Sequence, residues 1–277
     1  MLAETADLGR VDLSVVDRVV EDLLDRGADI SRLMLVGAHC RNVWAQALGD
    51  SSPMVHTHDV DLGIAVSSMQ QWSDLTSQLP KVRGSSSGIA FTVAGMHVDV
   101  MPFGHEVERP AGTVTPPPRP DEPFSVLGFE SVFRSGVKVA LPLGKDLTLP
   151  TPEGFALLKI AALHDRLAWN QLKDAQDLAV VRRWYLGSTY LADRLYDEDL
   201  LPVLLAEGVD PSLALMRLWG QVCAALLGVE ERRILLDQWS VCVSPLERVW
   251  AAEKRDRVWR AQAVALVEAF DRGIRAT

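Results

Sequence analysis

The pattern of apolar residues changes near Pro150, and this change constrains the fold more than any other feature of the chain. Before it, short apolar runs alternate with helical periodicities, which is typical of strands and helices packed in a mixed layer. After it, the helical periodicity continues almost to the last residue. We therefore expect an α/β (α+β) fold, with a mixed-sheet domain over residues 1–150 followed by an all-helical domain over residues 151–277.

The first half contains predicted elements of both kinds. Helical spacing marks residues 12–26, 38–48 and 69–79. Apolar runs typical of strands lie at 33–36, 60–66, 89–93, 96–100 and 137–141. Ser67 or Ser68 is the expected N-cap of the third helix, and Ala94-Gly95 is the expected turn of a hairpin. The proline-rich residues 110–123 are not expected to form a regular element.

The second half is predicted to be helical throughout. Its clearest helical segments lie at 153–167, 173–185, 213–227 and 245–270.

Composition and charge exclude several classes of protein. The chain has no run of about 18 apolar residues, and no apolar signal region follows its first residues, so we expect no membrane association. Three scattered cysteines indicate free thiols in a reducing compartment, and we expect a cytoplasmic protein. The net charge of −9 argues against nucleic-acid binding through overall charge. A nucleic-acid substrate would need a local basic patch.

Two aspartates at the start of a predicted strand are the strongest functional signal. Asp59 and Asp61 are two residues apart, so their side chains point to the same face. Asp99 lies in another predicted strand between the apolar Val98 and Val100, and pairing of the two strands would bring three carboxylates together. Such a group suits Mg²⁺, with two ions bridging a nucleotide and an attacking hydroxyl, and Asp99 is a candidate base. The pair alone is also common at a solvated strand end.

A glycine turn supplies a candidate phosphate site. Gly37 and Ala38 lie where a predicted strand ends and a helix begins, and backbone N–H groups at such a point can bind phosphate. Arg41 follows one turn later and is a candidate phosphate contact or the partner of an acid. A plain strand-to-helix turn is the alternative interpretation. Gly144-Lys145 is followed by Asp146, which disfavours a P-loop, and no Rossmann dinucleotide motif is present.

A lysine lies inside an apolar helical run of the second half. Lys159 must extend to water or find an anionic partner, and it is a candidate contact for a triphosphate. Charged residues follow at Asp165, Arg166, Lys173, Asp174 and Asp177. Most of these are expected on a solvated helix face with salt bridges.

Five segments, in their order and spacing, resemble those of one known family. They are Val36-Gly37-Ala38-His39-Cys40-Arg41-Asn42, Thr57-His58-Asp59-Val60-Asp61-Leu62, Val98-Asp99-Val100-Met101-Pro102-Phe103-Gly104, Leu157-Leu158-Lys159-Ile160-Ala161-Ala162-Leu163-His164-Asp165-Arg166 and Lys173-Asp174-Ala175-Gln176-Asp177-Leu178. Over roughly residues 30–185, the chain resembles the abortive-infection (AbiE-type) nucleotidyltransferase toxins of the polymerase-β-like superfamily.

The resemblance implies a mixed-sheet nucleotidyltransferase core with a helical partner domain. It implies Mg²⁺ at Asp59 and Asp61, and a lysine and an aspartate from the helical side at Lys159 and Asp174. Thr57 falls where the family has a small hydroxyl residue near the phosphates. Characterised relatives transfer nucleotides from NTP to the 3′ acceptor end of tRNA, which blocks translation, and a cognate antitoxin restrains them.

The chain also departs from the family pattern. Ala38 stands where the second small residue is usually Gly or Ser, and the region of His56 replaces an arginine found in many relatives. These departures affect the expected phosphate contacts and the choice of nucleotide. His39, His56 and His58 flank the predicted site, either as contacts to triphosphate or base or as ordinary capping and packing residues.

Two other functions remain open. A small-molecule nucleotidyltransferase of the antibiotic-modifying kind would use the same carboxylates with an acidic pocket for its substrate. A non-catalytic binding or antitoxin module is disfavoured by the presence of four charged candidates together, Asp59, Asp61, Asp99 and Lys159. An RNA acceptor requires basic residues, for which the candidates are Arg41, Lys81, Arg83, Lys173, Arg182, Arg183, Lys254, Arg255, Arg257 and Arg260.

Overall fold

The structure is a computed structural model that describes residues 1–52, 57, 59–83, 88–116 and 123–276. The chain divides into two compact units. The sheet unit comprises Ala6–Thr151, and the helical unit comprises Met1–Thr5 with Pro152–Thr277. Mixed strand and helix content in the first unit and helices alone in the second confirm the predicted fold class.

The sheet unit contains helices and strands in alternation. Its described elements are α1 (Ser14–Asp25), β1 (Leu33–Leu35), α2 (Gly37–Ala47), β2 (Asp59–Ala65), α3 (Met69–Thr76), β3 (Ala90–Val93), β4 (Met96–Phe103), β5 (Thr113–Val114), β6 (Phe124–Ser125), α4 (Phe129–Ser135), β7 (Val137–Ala140) and β8 (Asp146–Leu149).

Six of the described strands form one mixed sheet in the order β3-β4-β2-β1-β8-β7. Strands β2 and β4 are parallel, as are β1 and β8, and the other neighbours are antiparallel. The central strands are rich in Val, Leu and Ile, which pack well on a pleated surface that is buried. The parallel pairing of β2 with β4 is the part of this topology that positions the candidate site.

Two local predictions are confirmed in the sheet unit. The side chain of Ser68 accepts a hydrogen bond from the N–H of Gln71 and caps α3. Ala94 and Gly95 both have positive φ angles, of 49° and 76°, as a two-residue hairpin turn between β3 and β4 requires.

The proline-rich segment is more regular than predicted. Thr113–Val114 lies within residues 110–123, yet it forms β5 and pairs antiparallel with Phe124–Ser125. The side chain of Glu108 accepts from the N–H of Gly112 at 2.8 Å and supports this pair. Neither strand contains a proline, so the backbone of both can form the hydrogen bonds of the pair. Residues 117–122 of the segment lie outside the described ranges.

The helical unit contains α5 (Pro152–Leu167), α6 (Lys173–Gly187), α7 (Thr189–Arg194), α8 (Leu201–Ala206), α9 (Pro211–Ala225), α10 (Val229–Ala251) and α11 (Arg257–Arg275). Its core includes several stacked aromatic rings, with Trp219 between Tyr185 and Trp250 at centroid distances of 5.5 and 6.3 Å. None of the described helices is long and apolar enough to span a bilayer.

The predicted helix over 245–270 is wrong. Pro245 lies inside α10, and the chain breaks later, before Arg257. The proline removes a bond to the carbonyl of Val241, and this residue is exposed, which places the loss at the surface of the helical unit. The break is stabilised by Asp256, whose side chain accepts from the N–H of Val258 and caps α11.

Residues 1–5 were predicted to belong to the sheet domain, but they belong to the helical unit. The N–H of Leu2 donates to the Glu153 carboxylate at 3.3 Å, and the hydroxyl of Tyr190 donates to Glu4 at 2.7 Å. These polar contacts, together with the buried side chain of Leu2, attach the segment to the helices.

Candidate active site

Two neighbouring parallel strands carry the three predicted carboxylates. Asp59 and Asp61 lie on β2, and Asp99 lies on β4. The strand register places Asp61 beside Asp99, and Asp59 beside His97. Paired residues on adjacent strands are about 4.8 Å apart and point to the same face of the sheet. The expected pairing of the two strands is therefore present, and it brings the three acids to neighbouring positions on one face.

The other face of these strands is apolar. Val60, Leu62, Val98 and Val100 have no exposed surface. Alternation along each strand then leaves the acids on the more accessible face, where Asp59 is exposed and the other two are half-buried.

Gly37 begins α2 directly against Asp61. Its φ of +64° lies in the left-handed region, which favours glycine. A Cβ atom at this position would lie 2.5 Å from Cγ and 2.8 Å from Cβ of Asp61. The N–H of Val36 also donates to the carbonyl oxygen of Asp61 at 3.0 Å. Backbone conformation and space thus both require glycine at residue 37, and the sequence predicted the turn without this contact.

The first turn of α2 presents backbone N–H groups next to this carboxylate. Its N-cap residue is Val36, whose side chain cannot accept a hydrogen bond, so the N–H groups near Gly37 and Ala38 have no side-chain cap. A helix start of this kind favours anions. Arg41 follows on the same helix, is 9% exposed and donates to the side-chain oxygen of Asn42 at 3.0 Å. Phosphate binding by Gly37, Ala38 and Arg41 stays a prediction.

Asp59 and Asp99 each contact a polar side chain two residues earlier in the chain. The hydroxyl of Thr57 donates to Asp59 Oδ1 at 2.8 Å. Nε2 of His97 lies 3.1 Å from Asp99 Oδ1. His97 was not identified from the sequence, although its position two residues before Asp99 on the same strand placed it on the same face.

The donor chemistry of this face suits Mg²⁺, because carboxylate oxygens are hard ligands. Within the ranges that the structure describes, no group of three or more His, Cys, Asp or Glu side chains is arranged to hold a metal ion. Oδ1 of Asp59 contacts Thr57 and Oδ1 of Asp99 contacts His97. The metal role of Asp59, Asp61 and Asp99 stays a prediction that the type of ligand fits.

Of the three histidines predicted to flank the site, His39 is the one that lies within the described residues. Among the described residues, none forms a hydrogen bond with its buried Nε2. Burial lowers the pKa of His39, while the charge of Asp59 opposes this effect and that of Arg41 adds to it. The ring is therefore neutral at neutral pH, and its contact with a nucleotide stays a prediction. His56 and His58 lie outside the described residues.

Lys159 and Asp174 meet in an ion cluster of the helical unit. Nζ of Lys159 lies 3.1 Å from Asp174 Oδ1 and 2.6 Å from Asp177 Oδ2. Arg166 Nη1 lies 2.5 Å from the other oxygen of Asp174. The anionic partner expected for Lys159 is therefore two aspartates on α6, and two cations face two carboxylates.

Burial and charge act in opposite directions in this cluster. Burial lowers the pKa of Lys159, but the charges of Asp177 and Asp174 outweigh it and the pKa is raised. Burial raises the pKa of Asp174, but Lys159 and Arg166 outweigh it and the pKa is lowered. Lys159 and Asp174 are therefore both charged at neutral pH.

The expectation of a solvated helix face is wrong for Asp174 and Asp177, which are 0% and 8% exposed. The two residues lie one turn apart on the side of α6 that packs against α5, where Lys159 needs a counter-charge. A role in catalysis or phosphate binding for Lys159 and Asp174 stays a prediction.

Comparison of the chain with protein-family models, curated proteins and solved structures gives no match in any of the three.

Proposed function

We propose that this chain is a magnesium-dependent nucleotidyltransferase. One observation carries the proposal: Asp61 and Asp99 stand in register on parallel strands, with Asp59 on the same face. Carboxylates at such close positions repel one another, and a divalent cation removes that repulsion. The glycine contact at Asp61 supports the same function, because it brings a helix start next to the acids.

Each residue then has a defined task. Asp59 and Asp61 would hold Mg²⁺, and Thr57 orients the carboxylate of Asp59 through its hydroxyl. The first turn of α2 binds the phosphates of the NTP through backbone N–H groups. When bound there, Mg²⁺ would supply positive charge that offsets the negative charge of the reacting phosphate.

The reaction transfers a nucleotidyl group. An acceptor hydroxyl oxygen forms a bond to the α-phosphorus, the bond from that phosphorus to the bridging oxygen breaks, and pyrophosphate leaves with its electron pair. Asp99 accepts the hydroxyl proton, and His97 holds the Asp99 carboxylate for this step.

We propose the 3′ end of tRNA as acceptor and growth inhibition as the result, with a cognate antitoxin as partner and the cytoplasm as location. This part of the proposal is supported by the family resemblance of the sequence segments. A small-molecule acceptor is the second candidate, favoured by the net charge of −9, which suits a cationic substrate.

The test is incubation of the purified protein with total RNA and each NTP in turn, labelled at the α-phosphate, with Mg²⁺ or with a chelator. We expect label in RNA of tRNA size when Mg²⁺ is present and no label when the chelator removes it. Label that appears only in small products with a metabolite extract would identify the second candidate. No transfer to either acceptor under any of these conditions would contradict the proposal.

The toxin role has its own test. Expression of the wild-type chain should arrest growth, and expression of the Asp59→Ala variant at the same level should not. Arrest by both proteins would show that any toxicity is independent of nucleotide transfer.

A further inference from the structure

The turn between α10 and α11 displays a group of positive charges. We call this group the basic turn and define it as Lys254, Arg255, Arg257 and Arg260. All four residues are exposed. In the part of the chain that the structure describes, no carboxylate forms an ion pair with any of the four. The basic turn is therefore a local cationic surface on a chain whose net charge is −9.

The two acidic residues within the turn are engaged elsewhere. Glu253 accepts from Arg182 at 2.5 Å, and Asp256 caps α11 by accepting from the N–H of Val258 at 3.0 Å. Their carboxylates are thus committed to holding the turn in place, and they leave the cations of the basic turn facing solvent.

The turn is fixed to the helical core by a buried guanidinium. Arg182 is 1% exposed and lies between the rings of Trp250 and Trp259, at 4.7 and 5.1 Å from their centroids. Nε1 of Trp259 donates to the carbonyl of Trp250 at 2.9 Å, and Nε1 of Trp250 donates to Ala175 at 3.3 Å. Lys254 covers the outer side of Trp259, with Nζ 4.4 Å from the ring centroid. The turn is consequently held in a defined shape before any partner binds.

Helix electrostatics adds to this positive surface. Arg257 and Arg260 lie in the first turn of α11, where the helix dipole is already positive, so these cations do not stabilise the helix. Below them, Nε and Nη1 of Arg182 are buried and have no hydrogen-bond partner among the described residues. Arg257 and Arg260 are thus exposed at a helix start that they do not stabilise, where the dipole and the two guanidinium groups together favour an external anion.

We propose that the basic turn binds the phosphodiester backbone of an RNA strand. Three of its four cations are arginines, whose planar guanidinium groups bind phosphate oxygens through paired hydrogen bonds. The one apolar side chain exposed among them is Val258, which offers too little apolar surface to insert into a lipid bilayer. The choice of RNA over other phosphate polymers rests on the proposed function, whereas the location of the surface does not.

The test measures binding of a short fluorescein-labelled single-stranded RNA to the full chain by anisotropy over a series of salt concentrations, without NTP. The variant Arg255→Ala/Arg257→Ala removes two phosphate contacts. Each contact contributes about 0.7 to the slope of log K against log salt for a single strand, so we expect a slope smaller by about 1.4. At about 0.1 M salt this corresponds to roughly 25-fold weaker binding.

Charge reversal provides a second variant and a matched control. Arg255→Glu/Arg257→Glu should weaken RNA binding at least as much as the alanine pair. Arg18→Glu/Lys145→Glu changes the net charge by the same amount at two exposed sites of the sheet unit, and it should leave binding close to wild type. Thermal unfolding followed by circular dichroism checks that all variants are folded. If the double glutamate variant is unfolded, the double alanine variant decides the result.

The outcomes separate this inference from the proposed function. Equal RNA binding by the wild type and the basic-turn variants, or no RNA binding by the wild type, overturns the inference even if nucleotide transfer is observed. Loss of binding in the basic-turn variants supports it even if no transfer is found. Tighter binding to anionic phospholipid vesicles than to RNA, with the same dependence on Arg255 and Arg257, assigns the surface to a membrane and overturns the RNA proposal.

Discussion

Replacement of Gly37 by alanine tests the contact on which the geometry of the site depends. The new Cβ would lie 2.5 Å from Cγ of Asp61, and the residue would keep a φ near +64°. The left-handed backbone costs an alanine about 1–2 kcal/mol, and forced overpacking costs about 1–3 kcal/mol more. We therefore expect Gly37→Ala to reduce the free energy of unfolding by about 2–5 kcal/mol.

Gly49 provides a matched control for the backbone effect. Its φ is +69°, and a Cβ there would meet no atom within 4 Å. Gly49→Ala should therefore cost only about 1–2 kcal/mol. Urea unfolding of both variants, followed by circular dichroism, measures the difference, which reports the collision with Asp61.

A double-mutant cycle isolates this contact. In the Asp61→Ala background Cγ and both carboxylate oxygens are gone, so Gly37→Ala should be less destabilising by about 1–2 kcal/mol. Because the collision moves the Asp61 carboxylate, Gly37→Ala should also lower nucleotide transfer by about a hundredfold. Equal losses of stability for Gly37→Ala and Gly49→Ala, with no coupling to Asp61, would refute the reasoning.

Three further predictions concern the charged groups. Lys159→Met leaves the buried carboxylates of Asp174 and Asp177 without the cation that they share. Urea titration should show a loss of about 3 kcal/mol in the free energy of unfolding, at the lower end for a broken buried pair because Arg166 remains beside Asp174. Asp177→Asn, which leaves the Asp174 carboxylate beside the lysine, should cost less in the same titration. The pKa of Asp174 is lowered in the folded state, so the stabilisation from its ionised carboxylate is present above the ordinary value of 3.8 and is lost as the pH falls below that value. Urea midpoints measured from neutral to acid pH should show this loss in the wild type and a smaller loss in Asp174→Asn. The same pH dependence in both proteins would contradict a lowered pKa for Asp174. His97→Gln retains a hydrogen-bond donor near the position of Nε2 and should keep most of the transfer activity. His97→Phe removes the donor to Asp99 and should lower the turnover rate more than the affinity for NTP. Equal activity of the two variants would exclude positioning of Asp99 by this hydrogen bond.

The sequence predicted the two faces of the acidic strands but not their register. Alternation places Asp59 and Asp61 on one face of β2, and Val98 and Val100 leave Asp99 on the polar face of β4. Which residue of β4 lies opposite which residue of β2 depends on packing between segments far apart in the chain. The contact of Gly37 with Asp61 depends on the same packing.

The errors in the helical half have a tertiary origin. Lys159 was expected to find an anion, but local periodicity could not show that α5 buries Asp174 and Asp177 against it. Residues 253–256 are charged and compatible with a helix, and local periodicity does not show that Glu253 pairs with Arg182, which lies 71 residues away, where the helix breaks. Short-range patterns contain no information on such partners.

The most direct measurement of the proposed function is transfer of label from α-labelled NTP to RNA in the presence of Mg²⁺, compared between the wild type and Asp61→Asn. The matched control is Asp146→Asn, an exposed aspartate on β8 of the same sheet. Loss of a metal ligand removes several kcal/mol of transition-state stabilisation, so Asp61→Asn should lower the rate at least about a hundredfold while Asp146→Asn stays near wild type. Full transfer activity in a folded Asp61→Asn protein would contradict the assignment of this site.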